Sequence, residues 1–105
     1  MNGAERIAAE RKRQIEEEEF TAEQDDSNRG MALAAACYAL PWEIRRIHIL
    51  AGPAPQPLGY FLWPWDLKHW KPTPGNRIRE LEKAGALIAA EIDRLLRLEE
   101  KEKIS

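Results

Sequence analysis

The chain has no valine, threonine only at positions 21 and 73, and serine only at 27 and 105. With isoleucine the one β-branched residue in regular use, and Ala, Leu, Glu, Lys and Arg abundant, the composition predicts an all-α fold. Cysteine occurs once, at Cys37, which excludes an intramolecular disulfide. Set in "ALAAACYAL", it reads as a small buried apolar residue rather than a nucleophile. Two histidines (His48, His69) and one cysteine are too few for a zinc site. A glycine-rich phosphate loop is also missing, because "GPAPQPLG" loses backbone donors to proline. Its prolines and glycines interrupt the long uncharged run "HILAGPAPQPLGYFLWPW", so no membrane span is expected. The amino-terminal "MNGAERIAAE" carries charges where an export signal needs an apolar core. A reducing cytoplasm is the expected compartment.

What is present divides the chain by charge. Residues 1–30 hold nine acids and five bases, and residues 80–105 hold seven acids and five bases. Between them, residues 31–79 hold two acids (Glu43, Asp66) and six bases (Arg45, Arg46, Lys68, Lys71, Arg77, Arg79). The net charge of −2 gives no reason to expect a duplex nucleic-acid partner. In the basic third lies "YFLWPWDLKHWKP", with three of the four tryptophans (Trp63, Trp65, Trp70).

At 105 residues the chain is one domain, expected as a small helical bundle. A charged helix is predicted over 4–19, with a thin apolar stripe from Ala4, Ile7, Ala8 and Ile15. Thr21 and Gln24 fit a capping box for a short further turn. An Ala-rich helix is predicted over 29–39, its small residues allowing close approach to a neighbour. "PWEIRRIHIL" suits a helix or a strand; helix is preferred because no partner strand is evident. A Pro/Trp-rich connecting loop is expected over 51–72, stiffened by its prolines. The longest helix is expected over 74–101, with Thr73 as cap and Pro74 in its first position. Along it Ile78, Leu81, Gly85, Ile88, Ile92 and Leu95 recur at alternating steps of three and four, broadened by Leu87 and Leu96. The other helices are too short or too weakly amphipathic to cover that stripe, so a homo-oligomer is expected.

Two constellations could carry chemistry. Glu16, Glu19, Glu23, Asp25 and Asp26 cluster before the Ala-rich helix, and Glu91 lies at the edge of the last helix's apolar seam. Carboxylates from two helices converging on Mg²⁺ can clamp a polyphosphate. The alternative is a solvated acidic face, with Glu91 paired to an arginine such as Arg13 or Arg45. The E-x-x-E and E-x-x-D spacings of Glu16/Glu19 and Glu23/Asp26 resemble those of the all-α MazG-type nucleotide pyrophosphohydrolases. Here they stand too close together to sit on two facing helices, and Arg94 replaces the second acid beside Glu91. These departures count against catalysis; a Mg²⁺-dependent hydrolase, as the alternative reading, would use Glu19, Asp25, Asp26 and Glu91.

The second constellation is the tryptophan segment. Indoles stack on nucleobases, and Lys71, Arg77 and Arg79 beside them could hold phosphates. Trp63, Trp65, Trp70, Lys71, Arg77 and Arg79 are therefore the candidate ligand-binding set, with no catalytic residue and no cofactor. Against this stands an aromatic plug closing a small bundle, or an interface for another protein.

The segments "ERKRQI" (10–15), "FTAEQDD" (20–26), "AAACYA" (34–39), "WPW" (63–65), "WKP" (70–72) and "KAGALIAAEIDRL" (83–95) together resemble an uncharacterised family of small phage and prophage proteins. Relatives show Gly-Trp where this chain has Glu19-Phe20, and an acid or Gln after the glycine that here precedes Met31. The resemblance implies a phage accessory role in the bacterial host's cytoplasm. For such proteins that role is commonly anti-defence, by nucleotide binding or by blocking a host protein. The leading expectation is a non-catalytic binder of a nucleotide-like or other anionic ligand. A protein-blocking inhibitor and a Mg²⁺-dependent hydrolase are the alternatives.

Overall fold

The computed structural model describes residues 1–17 and 30–104. Helix α1 (Gly3–Glu17) opens with a reciprocal cap. The Asn2 side chain accepts the Glu5 N–H, and the Glu5 carboxylate accepts the Asn2 N–H, each at 2.9 Å. The charged helix expected over 4–19 is this element, while residues 18 and 19 and the Thr21 capping box lie outside the described residues. Helix α2 (Met31–Ala39) follows Gly30, whose φ of 103° lies in the left-handed region. A Cβ at Gly30 would stand 2.6 Å from the Pro64 side chain, so glycine lets the Trp-Pro-Trp segment lie against the start of α2.

"PWEIRRIHIL" divides between both readings. Trp42–Arg45 form a short helix, α3, and His48–Ala51 form strand β1, paired antiparallel with β2 (Ala54–Pro57). The expectation of a purely α-helical bundle is corrected accordingly: the described residues are mostly helical but include a β-hairpin. The missed partner strand was the proline-rich "APQP". Its prolines face His48 and Leu50 in register, at positions whose backbone points away from β1, so the missing N–H groups leave the ladder intact. The pairing continues past β2, where the Leu58 N–H donates to the Ile47 carbonyl at 2.8 Å. The expected loop over 51–72 further contains helix α4 (Leu58–Leu62) and a 3₁₀ turn (Leu67–His69) capped by Asp66, which accepts the Lys68 N–H.

The long helix, α5, runs Arg77–Ile104, not from residue 74. Thr73 to Asn76 form a turn closed by the Asn76 N–H on the Thr73 carbonyl, with Pro74 and Gly75 at its centre. Asn76 is the cap instead of Thr73: its side chain accepts the Arg79 N–H at 3.2 Å. Of the described helices, none is long and apolar enough to cross a membrane.

Helix α5 is the spine, packed against α2 on one side and α1 on another. Met31, Ala34, Ala35 and Tyr38 share one face of α2 and join Ala84, Leu87 and Ala90 in the core. The expected stripe of α5 is not that core. Ile78, Leu81, Ile88, Ile92 and Leu95 are exposed, and only Gly85 is tightly covered, by Ile7 of α1.

The deepest contact is ionic. Glu80 on α5 and Arg45 on α3 are 1% and 2% exposed and pair at 2.8 Å. Arg45 also donates to the Cys37 carbonyl, and Glu80 accepts the Thr73 N–H at 3.0 Å. Removing one partner of such a pair strands a buried charge, at about 3–5 kcal/mol. Glu80→Ala is therefore expected to lower unfolding free energy by about 3–5 kcal/mol in denaturant titration. A loss under about 1 kcal/mol, the size of an exposed pair, would contradict this role.

Candidate ligand-binding cavity

The tryptophan segment is held from both ends. Trp63 is buried, and its indole N–H donates to the Asp66 carbonyl at 3.1 Å, folding the segment back on itself. Trp65 meets the Trp63 ring edge-on at 5.2 Å, while Trp70 lies 4.9 Å from both Trp63 and Tyr38. The Tyr38 hydroxyl accepts the Lys71 N–H, which ties the end of the segment to α2.

This aromatic cluster is one wall of a cavity of about 720 Å³, within the range of small-molecule sites. The loop contributes Trp63, Trp65, Asp66, His69 and Lys71, α2 contributes Tyr38, and α5 contributes Lys83 and Leu87. Helix α1 closes the far side with Glu10, Arg13 and Gln14. The plug and the pocket are thus two sides of one cluster: Trp63 belongs to the core and also lines the cavity.

Of the six expected ligand residues, Trp63, Trp65 and Lys71 come together on the cavity. Trp70 packs behind them against the core. Arg77 and Arg79 do not line it. Arg77 donates to the Tyr38, Ala39 and Leu40 carbonyls at the end of α2 and contacts Glu80. Arg79 reaches Glu10 at 2.6 Å. The charges that do line the cavity are Arg13, Lys71 and Lys83 against Glu10 and Asp66. Lys83 donates to the Lys71 carbonyl and lies over the Tyr38 ring.

The α1 wall went unforeseen, although a signal for it exists. Glu10 and Gln14 follow Ile7 at steps of three and four, so they share its inward face. Glu10 is buried, accepting from both Arg13 and Arg79, and Gln14 donates to it at 3.2 Å. Burial works to raise its pKa, but the hydrogen bonds and charges of the two arginines outweigh that and bring it down to about 2. The buried Cys37 thiol is pushed the other way, up to about 11, as befits an unreactive core cysteine.

The alternative metal set is not assembled among the described residues. Glu19, Asp25 and Asp26 lie outside them, and Glu91 pairs with Arg94 rather than with Arg13 or Arg45. No group of three or more His, Cys, Asp or Glu among the described residues could hold a metal ion.

Fold and cavity define a small, mostly helical protein with an aromatic-walled cleft among its described residues. Family models, curated proteins and solved structures, compared with the chain, give no match.

Glu10 makes stability depend on acid. Its folded pKa of about 2 lies below the ordinary 4.5, so the unfolded chain binds the extra proton. The stabilisation is complete above the unfolded value and is lost as pH falls towards 2, a span worth about 3 kcal/mol. Glu10→Gln is expected to be less stable than the parent near neutral pH and to show a flatter acid limb. Parallel acid limbs in denaturant titrations of the two proteins would contradict this.

Proposed function

We propose that the protein is a non-catalytic binder of a small anionic ligand with a flat ring system, nucleotide-like in shape, which occupies the cavity between α1, α5 and the tryptophan segment. The observation that carries this reading is an aromatic wall with lysines beside it, Lys71 and Lys83, in one cleft. Trp65 is the partly exposed ring of that wall, with the buried Trp63 and Tyr38 behind it, and Lys71 stands exposed at the margin. Base–aromatic stacking is worth about 1–3 kcal/mol per base, and the lysine supplies a mobile point charge for a phosphate. The resemblance of the "WPW", "WKP" and "KAGALIAAEIDRL" segments to small phage proteins is the ground for a phage accessory role, with capture of a host nucleotide signal as its anti-defence form.

A panel of mono-, di- and cyclic nucleotides is expected to quench tryptophan fluorescence and raise the melting temperature. Trp65→Ala should weaken binding by about 1–3 kcal/mol. Lys71→Glu should weaken it more for phosphorylated ligands than for the corresponding nucleosides. Absence of quenching and of any melting shift across the whole panel would overturn the reading.

A further inference from the structure

The α1 wall of the cavity holds a polar atom that the fold leaves without a partner. Gln14 is 4% exposed and lines the cavity together with Glu10 and Arg13. Its side-chain nitrogen donates to the Glu10 carboxylate at 3.2 Å. Its side-chain oxygen is buried and has no hydrogen-bond partner among the described residues. Buried acceptors are nearly always paired, because an unpaired one has given up its bonds to water for nothing.

The direction of this amide is fixed by its neighbour. Glu10 accepts from Arg13 at 2.7 and 2.9 Å and from Arg79 at 2.6 Å, and the two arginines keep it ionised down to a pH of about 2. An ionised carboxylate only accepts, so the amide turns its nitrogen to Glu10 and its oxygen the other way. Gln14 therefore stands in the wall as an acceptor. The charges around it are already paired, Arg13 with Glu10 and Glu17, and Arg79 with Glu10 and Glu82. This wall suits an uncharged ring edge, whereas the exposed Lys71 suits a phosphate.

We infer that the Gln14 oxygen reads the ring of the ligand by accepting a hydrogen bond from an exocyclic amine, so that the cavity selects an amino-bearing base of the adenine or cytosine kind. This selection rests on the cavity being a nucleotide-like site and names the class of ring it takes. Trp65 supplies the stacking face, Lys71 the phosphate contact, and Gln14 the contact that tells one ring from another. An exocyclic amine suits a lone acceptor better than the ring N–H of uracil, which is flanked by two carbonyls that would repel the Gln14 oxygen. A ring without the amine leaves that oxygen buried and unpaired, the situation in which hydrogen-bonding sites discriminate most strongly.

Calorimetric titration of the full chain with two ligand pairs tests this. One pair is adenosine and purine riboside 5′-monophosphates, the other cytidine and uridine 5′-monophosphates; only the first member of each carries the amine. In the pair that binds, the amino member should bind about tenfold more tightly. Gln14→Met keeps the side-chain length and removes the acceptor, so it should bring that ratio to near one with helical circular dichroism retained. Glu10→Gln, which lets the Gln14 amide turn either way, should lower the ratio as well. Equal binding within both pairs by the parent, as when Gln14 holds only a water, overturns the inference and leaves the nucleotide-like site standing. Binding only of nucleotides outside these pairs does the same, as does a ratio that survives either substitution. If no nucleotide binds, the site and the selection fail together.

Discussion

The buried pair of Glu80 and Arg45 governs how this chain closes. The two residues are 35 positions apart, and between them run the hairpin, α4 and the tryptophan segment. One carboxylate oxygen takes an Arg45 nitrogen and is approached by Arg77, while the other takes Arg45 again and the Thr73 N–H. The start of α5, the end of α2 and the end of the tryptophan segment therefore meet at a single side chain. A charge so deep is tolerable only with all its partners in place. The requirement acts as a geometric lock: α3 cannot drift from α5 without taking Arg45 from its carboxylate. Arg45 is held from above as well, its guanidinium lying over the Trp42 and Trp70 rings at 5.6 and 5.5 Å.

Arg77 extends the lock. Its guanidinium gathers the carbonyls of Tyr38, Ala39 and Leu40, the groups a helix leaves without partners at its carboxyl end. With α2 fixed there, Tyr38 is fixed too, and its hydroxyl receives the Lys71 N–H. The tryptophan segment is thus pinned at Thr73 by Glu80, at Lys71 by Tyr38, and at Pro64 by the close approach of Gly30. These three points hold the tryptophan wall of the cavity against α2 and α5.

Much of this was legible in the residues, and the illegible parts share a cause. The α5 helix and the Ala-rich α2 are local features, fixed by propensity, caps and helical steps, and their positions follow within a few residues. The hairpin was not, because proline discourages a strand reading unless the pairing register is known, and register is a tertiary fact. Arg77 and Arg79 looked like phosphate ligands because each lies beside the tryptophans in sequence. Their actual partners, the α2 carbonyls and Glu10, are about forty and seventy positions away. Lys83, Tyr38 and the α1 wall were missed for the same reason. A cavity assembled from three helices and a loop has no contiguous motif, and half of its lining reads in sequence as ordinary helix surface.

The apolar stripe of α5 shows where periodicity itself stops. Alternating steps of three and four say that one face of a helix is to be buried, but they do not say in which chain. Within this chain the buried face of α5 is the other one, where small alanines and Leu87 let α2 approach and Glu80 meets its arginine. That face is the weaker of the two by hydrophobicity and the stronger by specificity, since it holds both the ion pair and the cavity floor. The more apolar face stays largely exposed within the chain, touched by α1 at Gly85. Closure of the fold through polar geometry and the periodicity of the apolar stripe are separable properties of α5, one on each side of the helix.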